Sequence, residues 1–259
     1  MERELEILQR IAREAEALPG HLGFYYKNLV TGLEYGLRES EAYLAASVIK
    51  FPLYLHILAE AERGNLSLTE KLRISEADKM PGCGAISLLT GVQEIDIAAL
   101  CRLMICISDN TATNVLIRRC GIENINAGFC RVGLKQTVLR RYLFDSEASA
   151  RGLENTISPR EMGMLLERLY RRNYVNPEVS EAALKTLLGQ QVCHKLEGKL
   201  CGCVEVAHKT GEDENLSNDV GIVFAKEPFI LCFAGHDTEV YPWEDLIRRS
   251  AYDLMQVQG

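Results

Sequence analysis

Strand-like alternation occurs at both ends of this chain and is separated by a long, mostly helical middle. Residues 22–37 pair an aromatic-rich run (Leu22, Phe24, Tyr25, Tyr26) with a second alternating run (Leu33, Tyr35, Leu37) across the turn signal Thr31-Gly32, which reads as a hairpin. Residues 203–209, 219–225 and 229–235 read as three more strands. An exposed sheet edge leaves backbone donors and acceptors unpaired, so the economical solution joins both sets into one antiparallel sheet. Leu5, Ile7, Leu8, Ile11, Ala12 and Ala15 recur at helical spacing until Pro19-Gly20, and a last helix is expected from Pro242 to Gln256. Helical periodicity also fills 47–63, 95–118 and 158–172. The expected fold class is α/β of the α+β type: an antiparallel sheet flanked by the terminal helices, plus an all-helical lobe, with the active site between them. One domain, 1–259, is expected, its α/β lobe near 1–46 and 200–259 and its helical lobe near 47–199.

Composition narrows the function classes. With 259 residues and 47% of them apolar, the chain can bury a sizeable core. A net charge of −7 argues against nucleic acid and anionic membranes as partners, because both need clustered cations. Nine cysteines, an odd number without a CxxC pair, and a charged start (MERELEILQR) point to a cytoplasmic protein with free thiols. A small-molecule substrate and a monomer or weak dimer are expected. Cys193, His194, Cys201, Cys203 and His208 are close in sequence, but their spacing matches no standard zinc module, so neither a metal nor an organic cofactor is expected.

Three short motifs carry chemistry. In Ser47-Val48-Ile49-Lys50, a helix starting at Ser47 places Lys50 on the same face, where a deprotonated amine can take the serine proton. The helix N-terminus also offers free N–H groups to an oxyanion. Read by itself, the pair is equally an N-cap and a solvated lysine. Ser108-Asp109-Asn110 follows an apolar helical run and combines a proton-shuttling hydroxyl with a substrate-binding amide; in isolation it is a helix stop or cap. Lys209-Thr210-Gly211 ends a strand, with the glycine letting a ligand approach the backbone. Alternation puts His208 on the face opposite Lys209, in a structural role.

SxxK, SDN and KTG in this order form the signature of class A β-lactamases and penicillin-binding proteins. On these residues the chain resembles the class A β-lactamase-like serine hydrolases over roughly residues 20–255. The stretch Met80-Pro81-Gly82-Cys83-Gly84 resembles the loop facing the second motif, and Ser217-Asn218-Asp219-Val220-Gly221 the start of the strand after KTG. The resemblance implies Ser47 as the acylated nucleophile, Lys50 as its proton partner, Ser108 as a relay and Asn110 as the substrate-amide ligand. It implies that Lys209 and Thr210, with Gly211 beside them, hold the substrate carboxylate. The N–H groups of Ser47 and Glu212 would form the oxyanion hole.

Two departures matter. Where the family carries a glutamate two residues after an arginine, Leu143 follows Arg141, and a leucine cannot activate the deacylating water. Asp145 or Glu147 could take its place; Asp145 is the preferred substitute, with a loop or Asx-turn position as its alternative role, and Glu154-Asn155 is expected to close the loop. The strand 229–235 also lacks the cation that many relatives direct at the substrate carboxylate, and Lys226 precedes it. The expected function is hydrolysis of a β-lactam or related amide or ester through an acyl-enzyme. The alternatives are a D-amino-acid peptide or ester hydrolase and a non-turnover penicillin-binding or sensor protein.

Overall fold

The strands from the two ends of the chain meet. In a computed structural model, residues 2–200 and 202–258 are described. Their elements in chain order are α1 (Glu2–Ala17), β1 (His21–Asn28), β2 (Glu34–Leu37), β3 (Tyr43–Leu44), a 3-10 turn (Ala46–Ile49), α2 (Lys50–Glu62), β4 (Lys71–Ile74) and β5 (Gln93–Asp96). They continue with α3 (Ile97–Cys106), α4 (Asn110–Cys120), α5 (Ile122–Arg131), α6 (Ser146–Ala150), β6 (Thr156–Ile157), α7 (Pro159–Tyr170) and α8 (Pro177–Leu187). The last elements are β7 (Val206–Asp213), β8 (Leu216–Val223), β9 (Phe229–His236) and α9 (Val240–Gln256).

The main sheet has the order β2-β1-β9-β8-β7, and every neighbouring pair is antiparallel. β1 and β9 pair from His21↔His236 to Asn28↔Phe229, so the N-terminal hairpin and C-terminal meander form one sheet. Strand alternation then sorts the side chains by face. Phe24, Tyr26, Leu231 and Phe233 pack with Leu8 and Ile11 of α1 and Trp243, Leu246 and Ile247 of α9. Tyr25, Ala207, Val220, Ile230 and Cys232 face the helical side. The buried Trp243 donates its indole N–H to Ser217 O at 2.8 Å, which fixes α9 over β8. No helix among the described residues is long and apolar enough to cross a membrane.

On the helical side, α2 is buried continuously from Lys50 to Glu60. A helix apolar around its circumference belongs inside a core, and here the other helices enclose it. Two expected boundaries need correction. The helical pattern of 95–118 is two helices, α3 and α4, because Ser108 takes a left-handed conformation (φ +55°) and breaks the run between them. The strand expected at 203–209 begins at Val206 and continues to Asp213, carrying Lys209 and Thr210 inside the paired region.

Gly163 of α7 touches the sheet, and a β-carbon there would come within 2.3 Å of the buried Tyr25 ring. Gly163→Ala should therefore destabilise the protein by about 1–3 kcal/mol despite a better helix propensity. A lowered urea midpoint measures this; an unchanged or raised midpoint would show that α7 does not pack this closely.

Candidate active site

The segment bearing Ser47 is irregular, and polar groups from distant elements hold it. Ala46 has φ +40°, and Ser47 lies in the 3-10 turn that leads into α2. Asn218 Nδ2 donates to the carbonyls of Leu44 (2.9 Å) and Ala45 (3.1 Å), while its Oδ1 accepts from Gly235 N–H (2.9 Å). Ala45 N–H donates to Asn155 O at 2.9 Å. Gly211 allows β7 to lie directly on this turn: a β-carbon at Gly211 would come 2.9 Å from Ala45 O and 3.1 Å from Val48 N.

The break between α3 and α4 supplies the second part. Asp109 caps α4 by accepting from Ala112 N–H (2.8 Å), and its other oxygen accepts from the N–H groups of Ala85 (2.8 Å) and Ile86 (2.9 Å). Asn110 Nδ2 donates to Pro81 O at 2.9 Å, and Thr111 Oγ1 accepts from Met80 N–H at 2.9 Å. The 80–86 loop is thereby clipped to the SDN segment, as the resemblance implied.

The three motifs converge on one hydroxyl. Lys50 Nζ donates to Ser108 O (2.7 Å), Ser108 Oγ (3.0 Å) and Asn110 Oδ1 (2.7 Å). Lys209 Nζ donates to the same Ser108 Oγ (3.1 Å) and to Thr210 O (2.7 Å). Both lysines are fully buried. Burial, reinforced by the neighbouring Lys209, pushes the Lys50 amine well below the ordinary lysine range. Burial likewise brings Lys209 down to about 7, with Lys195 acting in the same sense and Asp219 opposing it. A neutral amine close to a serine can act as a general base.

Ser47 and Asn110 line a cleft of about 500 Å³ together with Ala45, Gly82, Cys83, Leu143, Phe144, Asp145, Glu212 and other residues. The loop from 139 to 155 forms one wall. Asn155 Oδ1 accepts from the N–H groups of Arg140 (2.7 Å) and Arg141 (3.1 Å), and Arg141 Nη2 pairs with Glu154 at 2.8 Å. Glu154 and Asn155 thus close the loop, as expected. Asn114 of α4 makes both backbone hydrogen bonds to Leu143, accepting its N–H at 2.9 Å and donating to its carbonyl at 3.0 Å. Leu143 is thereby held at the cleft wall. Asp145 also lines the cleft, but its Oδ1 accepts from Ala148 N–H at 2.9 Å and caps α6. That capping is the Asx-type role given above as its alternative.

Lys195 was not singled out from the sequence. It is fully buried, and its Nζ donates to Gly211 O and Asn218 O at 3.1 Å each and pairs with Glu212 at 3.1 Å. It lies in an irregular segment with no periodicity to place it, so no sequence signal marked it. Lys226 instead donates to Gln258 O at 3.4 Å, near the C-terminus. His208 is on the opposite face from Lys209, as alternation required, and its Nδ1 stands 2.9 Å from Asp219 Oδ1.

Residues 6–257 match the model of the beta-lactamase enzyme family. A β-lactamase of Rhodobacter capsulatus is 31% identical over 172 residues, covering 66% of this chain and 58% of that protein. The chain thus spans a little over half the length of the curated relatives it first matches. Among solved structures, a β-lactamase from Sphaerobacter thermophilus DSM 20745 superposes with a TM-score of 0.89 at 24% identity, covering 98% of this chain and 97% of that one, a likeness of fold. PBP-A superposes at 0.88 with 26% identity, covering 98% and 96%. It is also known as a leucine-to-glutamate variant in an acyl-enzyme complex with penicillin G.

Ser108 Oγ is the shared acceptor of two buried amines, so removing it leaves both short of a partner. Ser108→Ala should cost on the order of 1.5–3 kcal/mol. A urea unfolding midpoint at pH 7 that does not fall would rule out this hydroxyl as an anchor.

Proposed function

Because the chain belongs to the beta-lactamase enzyme family, we propose that it is a class A-like serine hydrolase that opens a β-lactam, or a related amide or ester, through an acyl-enzyme on Ser47. The observation that carries this reading is the pair of buried lysines, Lys50 and Lys209, donating to one hydroxyl beside the cleft that Ser47 lines.

The steps follow from the chemistry of these groups. Neutral Lys50, which keeps two N–H donors and so gives up one of its bonds to Ser108 or Asn110, takes the Ser47 proton as Oγ bonds to the carbonyl carbon. The N–H groups of Ser47 and Glu212 hold the developing oxyanion. The C–N bond breaks, and the proton returns through Ser108 to the departing nitrogen, which in a β-lactam remains tethered to the acyl group. Lys209 and Thr210 hold the substrate carboxylate, and Asn110 holds its side-chain amide. Asn110 Nδ2 already donates to Pro81 O, so a substrate amide competes with that bond.

Deacylation has a weaker basis. By the resemblance, Leu143 stands where class A β-lactamases carry the basic glutamate, and the Asp145 carboxylate accepts a helix-capping hydrogen bond from Ala148 N–H. A missing general base typically lowers a rate about 10²–10⁴-fold. A long-lived acyl-enzyme, as in a penicillin-binding protein, is therefore the specific second reading. The likeness to PBP-A supports it.

Incubation with penicillin G, followed by intact mass and product analysis, separates these readings. A persistent one-to-one adduct supports acylation with slow release, and repeated turnover supports an efficient β-lactamase. Neither result in the wild type would point to a D-amino-acid peptide or ester instead. Ser47→Ala should abolish the adduct, and an adduct in that variant would refute Ser47. Leu143→Glu should raise turnover by about 10²-fold or more. If Asp145 activates the water, Asp145→Asn should trap the adduct; indifference removes it from the mechanism.

The pH dependence has a defined sign. Lys209 is cationic below about 7 and loses its charge above it. The apparent dissociation constant of a carboxylate-bearing β-lactam should therefore rise with pH above about 7, by at most about tenfold per unit. Lys209→Arg, which stays charged, should flatten the profile. A flat wild-type profile from pH 6 to 9 would show that Lys209 does not hold the carboxylate as a cation.

A further inference from the structure

Behind β7, on the face away from Lys209, Cys193, Glu197 and His208 converge. One donor atom from each lies within 4.8 Å of the others. His208 is fully buried, and its Nε2 makes no hydrogen bond. That nitrogen faces the Glu197 carboxylate, with Oε2 3.7 Å away. The ring is held from its other side: Asp219 Oδ1 stands 2.9 Å from Nδ1, and Asp219 is itself fixed by Leu196 N–H at 3.0 Å. A buried imidazole nitrogen that makes no hydrogen bond is costly, so its presence needs an explanation.

We propose that Cys193 Sγ, Glu197 Oε and His208 Nε2 form a binding site for a divalent transition-metal ion, best suited to Zn²⁺. The donor set of thiolate, imidazole and carboxylate matches zinc, and Zn–N and Zn–O bonds of roughly 2.0–2.2 Å put tetrahedral donors about 3.3–3.6 Å apart. The Glu197–His208 separation is close to that spacing. The Asp219–His208 hydrogen bond is the outer-shell carboxylate that metal-bound histidines commonly use to set their tautomer. On binding, Zn²⁺ replaces the thiol proton of Cys193, and any proton on Nε2, with the protons released to solvent. Solvent supplies the fourth position. Glu197 and Cys193 are only partly buried, so an ion has a path in.

This is not the cysteine-rich pattern that the sequence suggested and set aside. Glu197 takes part, His194 points elsewhere, and Cys201 lies outside the described residues. His194 belongs to a second group with Glu212 and Glu244, but the Lys195 ammonium stands 3.1 Å from Glu212 there and already supplies the positive charge. The zinc site does not depend on the acyl-transfer reading. It would fasten the segment after α8 to the strand that carries Lys209.

The test uses the full, reduced chain after chelator treatment, titrated with Zn²⁺ against a chromophoric chelator and separately with Co²⁺. The expected result is one ion per chain, a thiolate-to-cobalt charge-transfer band, and a melting temperature raised by Zn²⁺. Cys193→Ser should lose the band and the thermal shift while keeping the metal-free melting temperature. Glu197→Gln should weaken uptake at least about tenfold, and His194→Ala and Cys203→Ser should bind as the wild type does. No stoichiometric uptake, or wild-type uptake in Cys193→Ser, would overturn the assignment.

Discussion

Two lysine side chains with no access to solvent donate to one serine hydroxyl, and the candidate site is organised around that contact. Two ammonium groups this close in a low-dielectric interior repel strongly, and neither can be solvated by water. The arrangement is tolerable only if protonation is incomplete, and burial drives both amines that way. The strain that pushes the Lys50 amine toward its neutral form therefore comes from the fold. It exists only because the start of α2, the α3–α4 break and β7 are brought to one point.

Irregular backbone surrounds that point, and each irregular stretch is satisfied from elsewhere. Asn218 on β8 holds the carbonyls ahead of Ser47, Asp109 holds the N–H groups of the 80–86 loop, and Asn155 joins the two ends of the loop beside Leu143. Buried loops survive only when their polar groups find such partners. The same economy explains why the left-handed Ala46 and Ser108 sit where neighbouring elements over-determine their conformation.

The two half-reactions of the proposed mechanism are supported unequally. The groups proposed for acylation are buried and hydrogen-bonded to one another, whereas the cleft wall presents Leu143, fixed at both its backbone groups by Asn114. Two of the carboxylates of that loop have structural tasks, Glu154 with Arg141 and Asp145 at the start of α6. On the other face of β7, His208 and Asp219 form a buried pair, and the second ring nitrogen of His208, which makes no hydrogen bond, lies near Cys193 and Glu197. One strand thus carries two chemically different constellations, separated by the alternation of its side chains.

Much of this was legible in the residues. Local periodicity located the terminal helices, the hairpin and the β7–β9 meander, because side-chain direction within a helix or strand is set by its own geometry. The resemblance carried by SxxK, SDN and KTG implied which groups would react, and alternation assigned His208 to the far face. The helix stop at Ser108-Asp109-Asn110 is legible in those residues, although the helical periodicity of 95–118 runs across it; the left-handed Ser108 decides for the stop. Lys195 and Glu197 were missed because they belong to an irregular segment, where sequence spacing implies no direction. Which hydroxyl two distant lysines share, and which carboxylate faces the second imidazole nitrogen of His208, was decided by packing between elements far apart in the chain. Such distances follow from how whole faces interlock, and no local pattern encodes them.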